Sequence, residues 1–161
     1  MHKTDDTVRC RRHLADEAAT SAFGAQLARA LAPGLTFYLE GDLGAGKTTL
    51  VRGMLRALGY GGRVKSPTYT LAESYSLPAF ELYHFDLYRM QDPREWLDAG
   101  FRDVDDGRAV SLIEWPEKAA GWLPPADVIV RLTIVDDARE IECEAASPRG
   151  ARYLEACCTP C

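Results

Sequence analysis

The stretch Gly41-Asp42-Leu43-Gly44-Ala45-Gly46-Lys47-Thr48 decides the reading of this chain. It fills every position of G-x-x-x-x-G-K-[ST], the spacing of a loop that wraps phosphate groups. Gly41, Gly44 and Gly46 carry no Cβ, so the backbone is free to take positive φ and to approach an anion closely. The loop amides then converge as a nest, backed by the positive end of the helix that follows. In this pattern Lys47 reaches the β- and γ-phosphates of a nucleotide and the Thr48 hydroxyl ligates Mg²⁺. The expected nucleotide contacts are Asp42, Leu43, Gly44, Ala45, Gly46, Lys47, Thr48 and Thr49, with Lys47 at the surface.

The flanks suit the motif. Leu35-Thr36-Phe37-Tyr38-Leu39 is short, apolar and β-prone, as a buried strand requires. Beyond the loop, Val51, Met54, Leu55 and Leu58 recur at helical spacing, and Gly59 supplies a stop. Upstream, residues 7–14 read as a charged edge strand. Asp16 is placed to cap a helix that runs to about Leu31, with Phe23, Leu27 and Leu31 on one face and Pro33-Gly34 at its end. Downstream, 69–76 and 81–87 read as a hairpin across Leu77-Pro78-Ala79. Pro93 opens a helix ending near Gly100, and 109–113 is a buried strand. Pro116 opens a short helix before Pro124-Pro125, and 128–135 with 139–144 make a second hairpin. The order predicts an α/β fold, a P-loop NTPase-like three-layer sandwich. Its mixed sheet is parallel at the centre and antiparallel toward an edge. The nucleotide belongs at the carboxyl ends of the parallel strands.

A length of 161 residues suits one domain, assigned to 1–147, with a C-terminal tail at 148–161. No apolar run is long enough to span a bilayer. Residues 1–12 lack the apolar centre of a secretory signal, so a cytoplasmic protein with no membrane partner is expected. The net charge is −5, and only Arg9, Arg11 and Arg12 stand close together among the basic residues. A domain that grips nucleic acid by itself carries a basic stripe, so any RNA role runs through a partner. Five cysteines, an odd number, argue against a disulfide framework in such a compartment. Cys157-Cys158-Thr159-Pro160-Cys161 offers no second ligand pair at zinc-finger spacing and no neighbouring histidine. It reads as a frayed, reduced tail.

A phosphate loop needs an acidic partner for magnesium at the end of another strand. Val110-Ser111-Leu112-Ile113-Glu114 and Leu82-Tyr83-His84-Phe85-Asp86 both end in one. Glu114 is favoured as the Mg²⁺-associated carboxylate. Asp86 is a second metal-shell group or the residue that positions the attacking water, and the two roles are interchangeable at this level. His84 projects from the same strand face as Asp86, and reads first as a structural histidine, with a hydrogen bond near the site as the alternative. Ser66-Pro67-Thr68, with glycines before it, has the form of a γ-phosphate-sensing loop. Trp115 is either core or an aromatic anchor. Tyr83, Phe85, Tyr88 and Trp96 read as packing, and the acidic residues from Asp92 to Asp106 as a solvated face. There is no Asn-Lys-x-Asp sequence for guanine, which favours ATP.

Four segments stand together in one order: Gly-Asp-Leu-Gly-Ala-Gly-Lys-Thr-Thr at 41–49, Lys-Ser-Pro-Thr-Tyr-Thr-Leu at 65–71, His-Phe-Asp-Leu-Tyr-Arg at 84–89 and Ile-Glu-Trp-Pro at 113–116. In combination they resemble the TsaE family of bacterial tRNA threonylcarbamoyladenosine biosynthesis proteins, small P-loop ATPases, over about residues 14 to 140. The resemblance implies ATP and Mg²⁺ as cofactors. Hydrolysis would be weak alone and would support the TsaB–TsaD transferase that modifies the adenosine beside the anticodon. It carries Lys47 and Thr48 onto the phosphate and magnesium groups, and Glu114 onto a magnesium ligand. Asp86 and Trp115 fall on functionally important positions, and 66–68 on the switch segment, which makes Thr68 a catalytic candidate. Glu17 and Arg139 fall where the family contacts nucleotide. The cysteine-rich end follows no pattern of the family.

Two other readings share the loop. A small-molecule kinase needs an arginine-bearing lid, for which only Arg89 and Arg94 are at hand. A nucleotide-gated assembly factor would bind ATP and scarcely hydrolyse it.

Overall fold

The computed structural model describes residues 7–42, 44–98 and 107–158. In chain order the elements are β1 (Arg9–Leu14), α1 (Glu17–Ala28), β2 (Thr36–Glu40), α2 (Lys47–Ala57), β3 (Ala72–Ser76), β4 (Glu81–Asp86), α3 (Arg94–Asp98), β5 (Ala109–Glu114), a 3₁₀ turn (Pro116–Ala119), β6 (Val128–Val135), β7 (Ala138–Ala145) and α4 (Pro148–Cys157). One sheet of seven strands runs in the order β1-β7-β6-β2-β5-β4-β3. The β6, β2, β5 and β4 neighbours are parallel. Antiparallel pairing closes both edges, β3 on β4 at one and β7 on β6 then β1 on β7 at the other. The expectation named one antiparallel edge. The second arises because each hairpin gives one strand, β4 or β6, to the parallel centre and folds the other, β3 or β7, to an edge, where β1 then adds to β7.

The pleat sorts side chains to two faces. Leu82, Val110, Leu112, Val128 and Val130 point one way and meet Phe23, Leu27, Leu50, Val51, Met54 and Leu55 of α1 and α2. Phe85 and Ile113 point the other way and pack with Leu87, Met90, Trp96 and Ala119. Phe85 and Trp96 meet at 4.9 Å, so they are packing residues as expected. Helix α1 begins where Asp16 accepts from the Ala19 amide at 2.8 Å. It ends at Ala28, a turn short of the expected Leu31. The α1 and α2 axes come close because both carry glycine at the crossing. A Cβ on Gly24 would lie 2.3 Å from the Leu50 carbonyl, and one on Gly53 would lie 2.1 Å from that of Ser21.

The segment assigned as a C-terminal tail from 148 holds a helix, α4, which takes in Cys157 of the stretch expected to fray; 159–161 lie outside the described residues. Ser147 caps α4 by accepting from the Gly150 amide, and Pro148 sits in the first turn, where its missing N–H costs nothing. Tyr153, Leu154 and Cys157 are buried against the sheet. The Tyr153 hydroxyl donates to the Leu27 carbonyl at 2.5 Å, and its ring meets Phe37 edge-on at 5.2 Å. Cys10, Cys143 and Cys157 are buried and Cys158 is half-buried, and Cys161 lies outside the described residues, as does the expected end of α3 near Gly100.

The outer face of β1, β7 and β6 carries a ladder of ion pairs instead of a helix. Arg9 meets Glu144 at 2.9 Å and Arg11 meets Glu142 at 2.6 Å. Arg131 bridges Glu40, Glu142 and Glu144 at 3.0–3.2 Å. Two members of the basic cluster are thus committed to carboxylates of the sheet.

Candidate nucleotide site

Strand register assembles the site. Glu114 is the last residue of β5, and it stands opposite Asp86 at the end of β4 and opposite Leu39 of β2. The loop that begins at Gly41 therefore leaves β2 beside two carboxylates. Gly46 precedes α2 at φ 107°, in the left-handed region that favours glycine, and no side chain caps the helix. Gly44 is also left-handed, at φ 82°. The first amides of α2 are left for an anion.

A cavity of about 330 Å³ lies over this junction, lined by Gly44, Gly46, Lys47, Thr48, Thr49, Ser66, Thr68, Asp86 and Glu114. Lys47 is not at the surface as expected. It is 6 % exposed, its Nζ donates to the Gly41 carbonyl, and it lies 3.3 Å from Glu114 Oε1. The ammonium also stands 5.0 Å from the centre of the Trp115 ring. Proximity to a carboxylate from another strand outweighs the pull of solvent on the ammonium.

His84 is fully buried, and its Nε2 lies 2.5 Å from Glu114 Oε2. Burial pushes the Glu114 carboxyl up. The hydrogen bond and electrostatic attraction of His84, followed by those of Lys47, outweigh it and hold the group below the usual carboxylate range. Asp86 is likewise buried, accepting from the Tyr88 amide at 3.0 Å and from the Thr68 hydroxyl at 3.4 Å. Ser66 and Thr68 share a hydrogen bond of 2.8 Å, which ties the expected sensing segment to Asp86. Trp115 takes φ 58°, a left-handed value that costs a non-glycine residue about 1–3 kcal/mol. That bend leaves its half-buried ring against Tyr88 at 4.9 Å.

A second cavity, of about 390 Å³, adjoins the first across Gly44, Gly46 and Thr49, and is lined by Asp16, Glu17, Asp137 and Arg139. Arg139 reaches the loop itself, its Nε donating to the Ala45 carbonyl at 3.0 Å and its Nη2 to that of Gly44 at 3.2 Å. Glu17 is exposed at the rim. Asp42 is exposed too, and its carbonyl accepts from the Ala45 amide at 3.0 Å. Leu43 lies outside the described residues. Sequence reasoning did not single out Asp137, which the β6–β7 hairpin tip delivers, and for His84 it put a structural role ahead of the hydrogen bond near the site that the structure shows.

Among the described residues no group of three or more His, Cys, Asp or Glu could cage a metal. Magnesium needs no such cage, since it keeps water and phosphate ligands beside one or two carboxylates. The hard oxygens of Glu114, Asp86 and Thr48, lining one cavity with the phosphate loop, fit that ion.

Comparison with known proteins identifies the family. The pattern of the threonylcarbamoyl adenosine biosynthesis protein TsaE matches residues 14–142. The tRNA threonylcarbamoyladenosine biosynthesis protein TsaE of Haemophilus influenzae is 45% identical over 150 residues, covering 90% of this chain and 95% of the other. The protein of the same name from Bacillus subtilis is 42% identical over 130 residues, covering 78% and 77%. The crystal structure of Bacillus subtilis YdiB superposes with a TM-score of 0.78 at 31% identity, covering 95% of this chain and 96% of that one. With its phosphate loop, its ordered acidic strand ends and this span of matching sequence, the chain belongs to the TsaE family of threonylcarbamoyladenosine biosynthesis proteins.

Proposed function

We propose that this chain is the ATP-binding and ATP-hydrolysing subunit of the machinery that makes tRNA threonylcarbamoyladenosine, acting in the cytoplasm beside the TsaB–TsaD transferase. One observation carries the nucleotide part: Lys47, Thr48, Thr68, Asp86 and Glu114 line a single cavity at the carboxyl ends of parallel strands. The family and the relatives' names support the pathway.

In this reading the loop amides and the start of α2 bind the β- and γ-phosphates, and Lys47 turns from Gly41 and Glu114 to meet them. Thr48 and Glu114 would hold Mg²⁺, which supplies charge neutralisation on the phosphate oxygens. Asp86, fixed by Thr68 and the Tyr88 amide, orients water toward the γ-phosphate or completes the shell of the cation. Thr68 and Ser66 register the γ-phosphate. Arg139 holds two loop carbonyls outward, which leaves the Gly46 amide turned in, while Glu17 borders the adjoining cavity. Trp115 backs the lysine. With Arg9 and Arg11 paired to glutamates, tRNA is met through the partners.

The kinase reading is disfavoured by its own arginines. Arg89 lies over the Tyr69 ring at 4.6 Å, and Arg94 is paired with Asp92 at 2.9 Å. Labelled γ-phosphate distinguishes the readings. Release as inorganic phosphate, rising when TsaB and TsaD are added, supports hydrolysis. Transfer to a small acceptor, or no stimulation, contradicts it. An Asp86→Asn variant that no longer hydrolyses ATP yet sustains tRNA modification in cells would favour the assembly factor.

A further inference from the structure

The Glu114 carboxylate has two partners of different kinds. Lys47, beside Oε1 at 3.3 Å, sits on a flexible four-carbon stem and lines the cavity. His84, on Oε2 at 2.5 Å, sits in the middle of β4, opposite Leu112 of β5, and is sealed from solvent. It does not line the cavity, so it is not placed to meet a ligand.

The imidazole is held at a cost. Among the described residues its buried Nδ1 has no hydrogen-bond partner, and the one polar contact of the ring is the Glu114 carboxylate. A buried polar atom left without a partner costs stability, so the ring is not there for its own satisfaction. On its sheet face His84 stands opposite Glu73 of β3 and two residues from Asp86, while Leu82, Val110 and Leu112, its other neighbours there, belong to the apolar core. An apolar residue would satisfy them with no orphaned nitrogen. The histidine is therefore explained by its reach to Glu114 and not by packing.

We propose that His84 is the positioning residue for the magnesium carboxylate. It fixes Oε2 and the plane of the group, so that Oε1, the oxygen beside Lys47, is presented to the cation or its water when Lys47 turns to phosphate. This rests on the Mg-ATP reading of the site. Partners in the shell behind a metal ligand typically change metal affinity 10–100-fold when they are removed.

The experiment is calorimetric titration of the purified full chain with ATP, in EDTA and across a Mg²⁺ series, with circular dichroism to confirm folding. His84→Gln carries an amide N–H to about the place of Nε2, and His84→Asn stops short of it. The glutamine variant is expected to keep the Mg²⁺ half-saturation within about threefold of the wild type. The asparagine variant should raise it roughly tenfold or more, with the affinity for ATP in EDTA unchanged in both. In a Glu114→Gln background, His84→Asn should add nothing. His84→Leu takes the place of the asparagine variant if that one fails to fold. Unchanged Mg²⁺ dependence in the asparagine or leucine variant overturns the assignment, as does an equal loss of ATP affinity in EDTA, which marks a merely structural residue. A wild type that takes up no ATP with Mg²⁺ overturns the site reading itself.

Discussion

Lys47 and Glu114 form a buried ion pair, Nζ to Oε1 at 3.3 Å, although one residue comes from the start of a helix and the other from the end of a strand. The pair is closed to solvent on both sides, at 6 % and 5 % side-chain exposure. It gives Lys47 a structural role beside the phosphate-binding role proposed for it. Removing one member of a buried pair leaves the other charge uncompensated. Lys47→Met, which keeps the stem, is expected to lower unfolding stability by about 3 kcal/mol, the low end for such a pair, because His84 still satisfies Oε2. Urea denaturation without nucleotide reads it. A variant as stable as the wild type would mean that the pair contributes nothing.

The α1–α2 crossing makes a sharper stability test. A Cβ on Gly53 would lie 2.1 Å from the Ser21 carbonyl, whereas one on Gly61 would meet nothing within 4 Å. Gly53→Ala is expected to destabilise by about 1–3 kcal/mol or more through overpacking. Gly61→Ala should stay within about 0.5 kcal/mol of the wild type. Thermal melts of the two side by side decide whether the helices approach as closely as described. Because α2 carries Lys47 and Thr48, a shift there also moves the site.

Acid pH gives an independent reading of Glu114. Its carboxyl is held below the usual range in the folded protein, so the unfolded chain takes up the proton first as pH falls. The stabilisation is complete above the ordinary carboxylate pKa of about 4.3 and is lost as pH falls through the lowered folded value. Glu114→Gln should therefore flatten the stability profile below about pH 4.3 and leave its slope unchanged near neutrality. Parallel slopes for variant and wild type in the acid range would contradict the assignment. The comparison is made by denaturant titration at a series of pH values.

Arg139 tests the loop without touching the carboxylates. Its two bonds hold the carbonyls of Gly44 and Ala45, and the amide joined to the second, that of Gly46, is the one the proposed nucleotide reading turns toward phosphate. Arg139→Ala should weaken ATP binding roughly tenfold, the worth of a hydrogen bond from a charged donor at about 1.5 kcal/mol. Arg139→Lys should recover only part of it, since an ammonium lacks the planar fork that spans both carbonyls. Fluorescent-nucleotide titration measures both. Full affinity in the alanine variant would show that the loop keeps its shape unaided.

Most of the fold was legible because its signals are local. The glycines of 41–46, the apolar spacing of Val51, Met54 and Leu55, and the turns at Leu77-Pro78-Ala79 and Asp136-Asp137 each act over a few residues. The C-terminal helix was misread for a different reason. Its cysteines suggested a tail, while the signals that count, Ser147-Pro148 as cap and first turn with Tyr153, Leu154 and Cys157 on one face, form a short pattern. In the site, residue identities were legible and their pairings were not. Register between β4 and β5 brings His84 to Glu114, and the fold-back of a distant hairpin brings Asp137 and Arg139 to the loop. Those contacts span 30 residues or more, and nothing in local spacing encodes them.

The central claim is that this cradle takes a nucleotide triphosphate together with its cation, and calorimetric titration of the full chain with Mg-ATP tests it most directly. Saturable uptake of one ATP per chain is predicted, weakened in EDTA and lost in Lys47→Met. Absence of uptake by the wild type, or equal uptake by the Lys47 variant, would contradict the account.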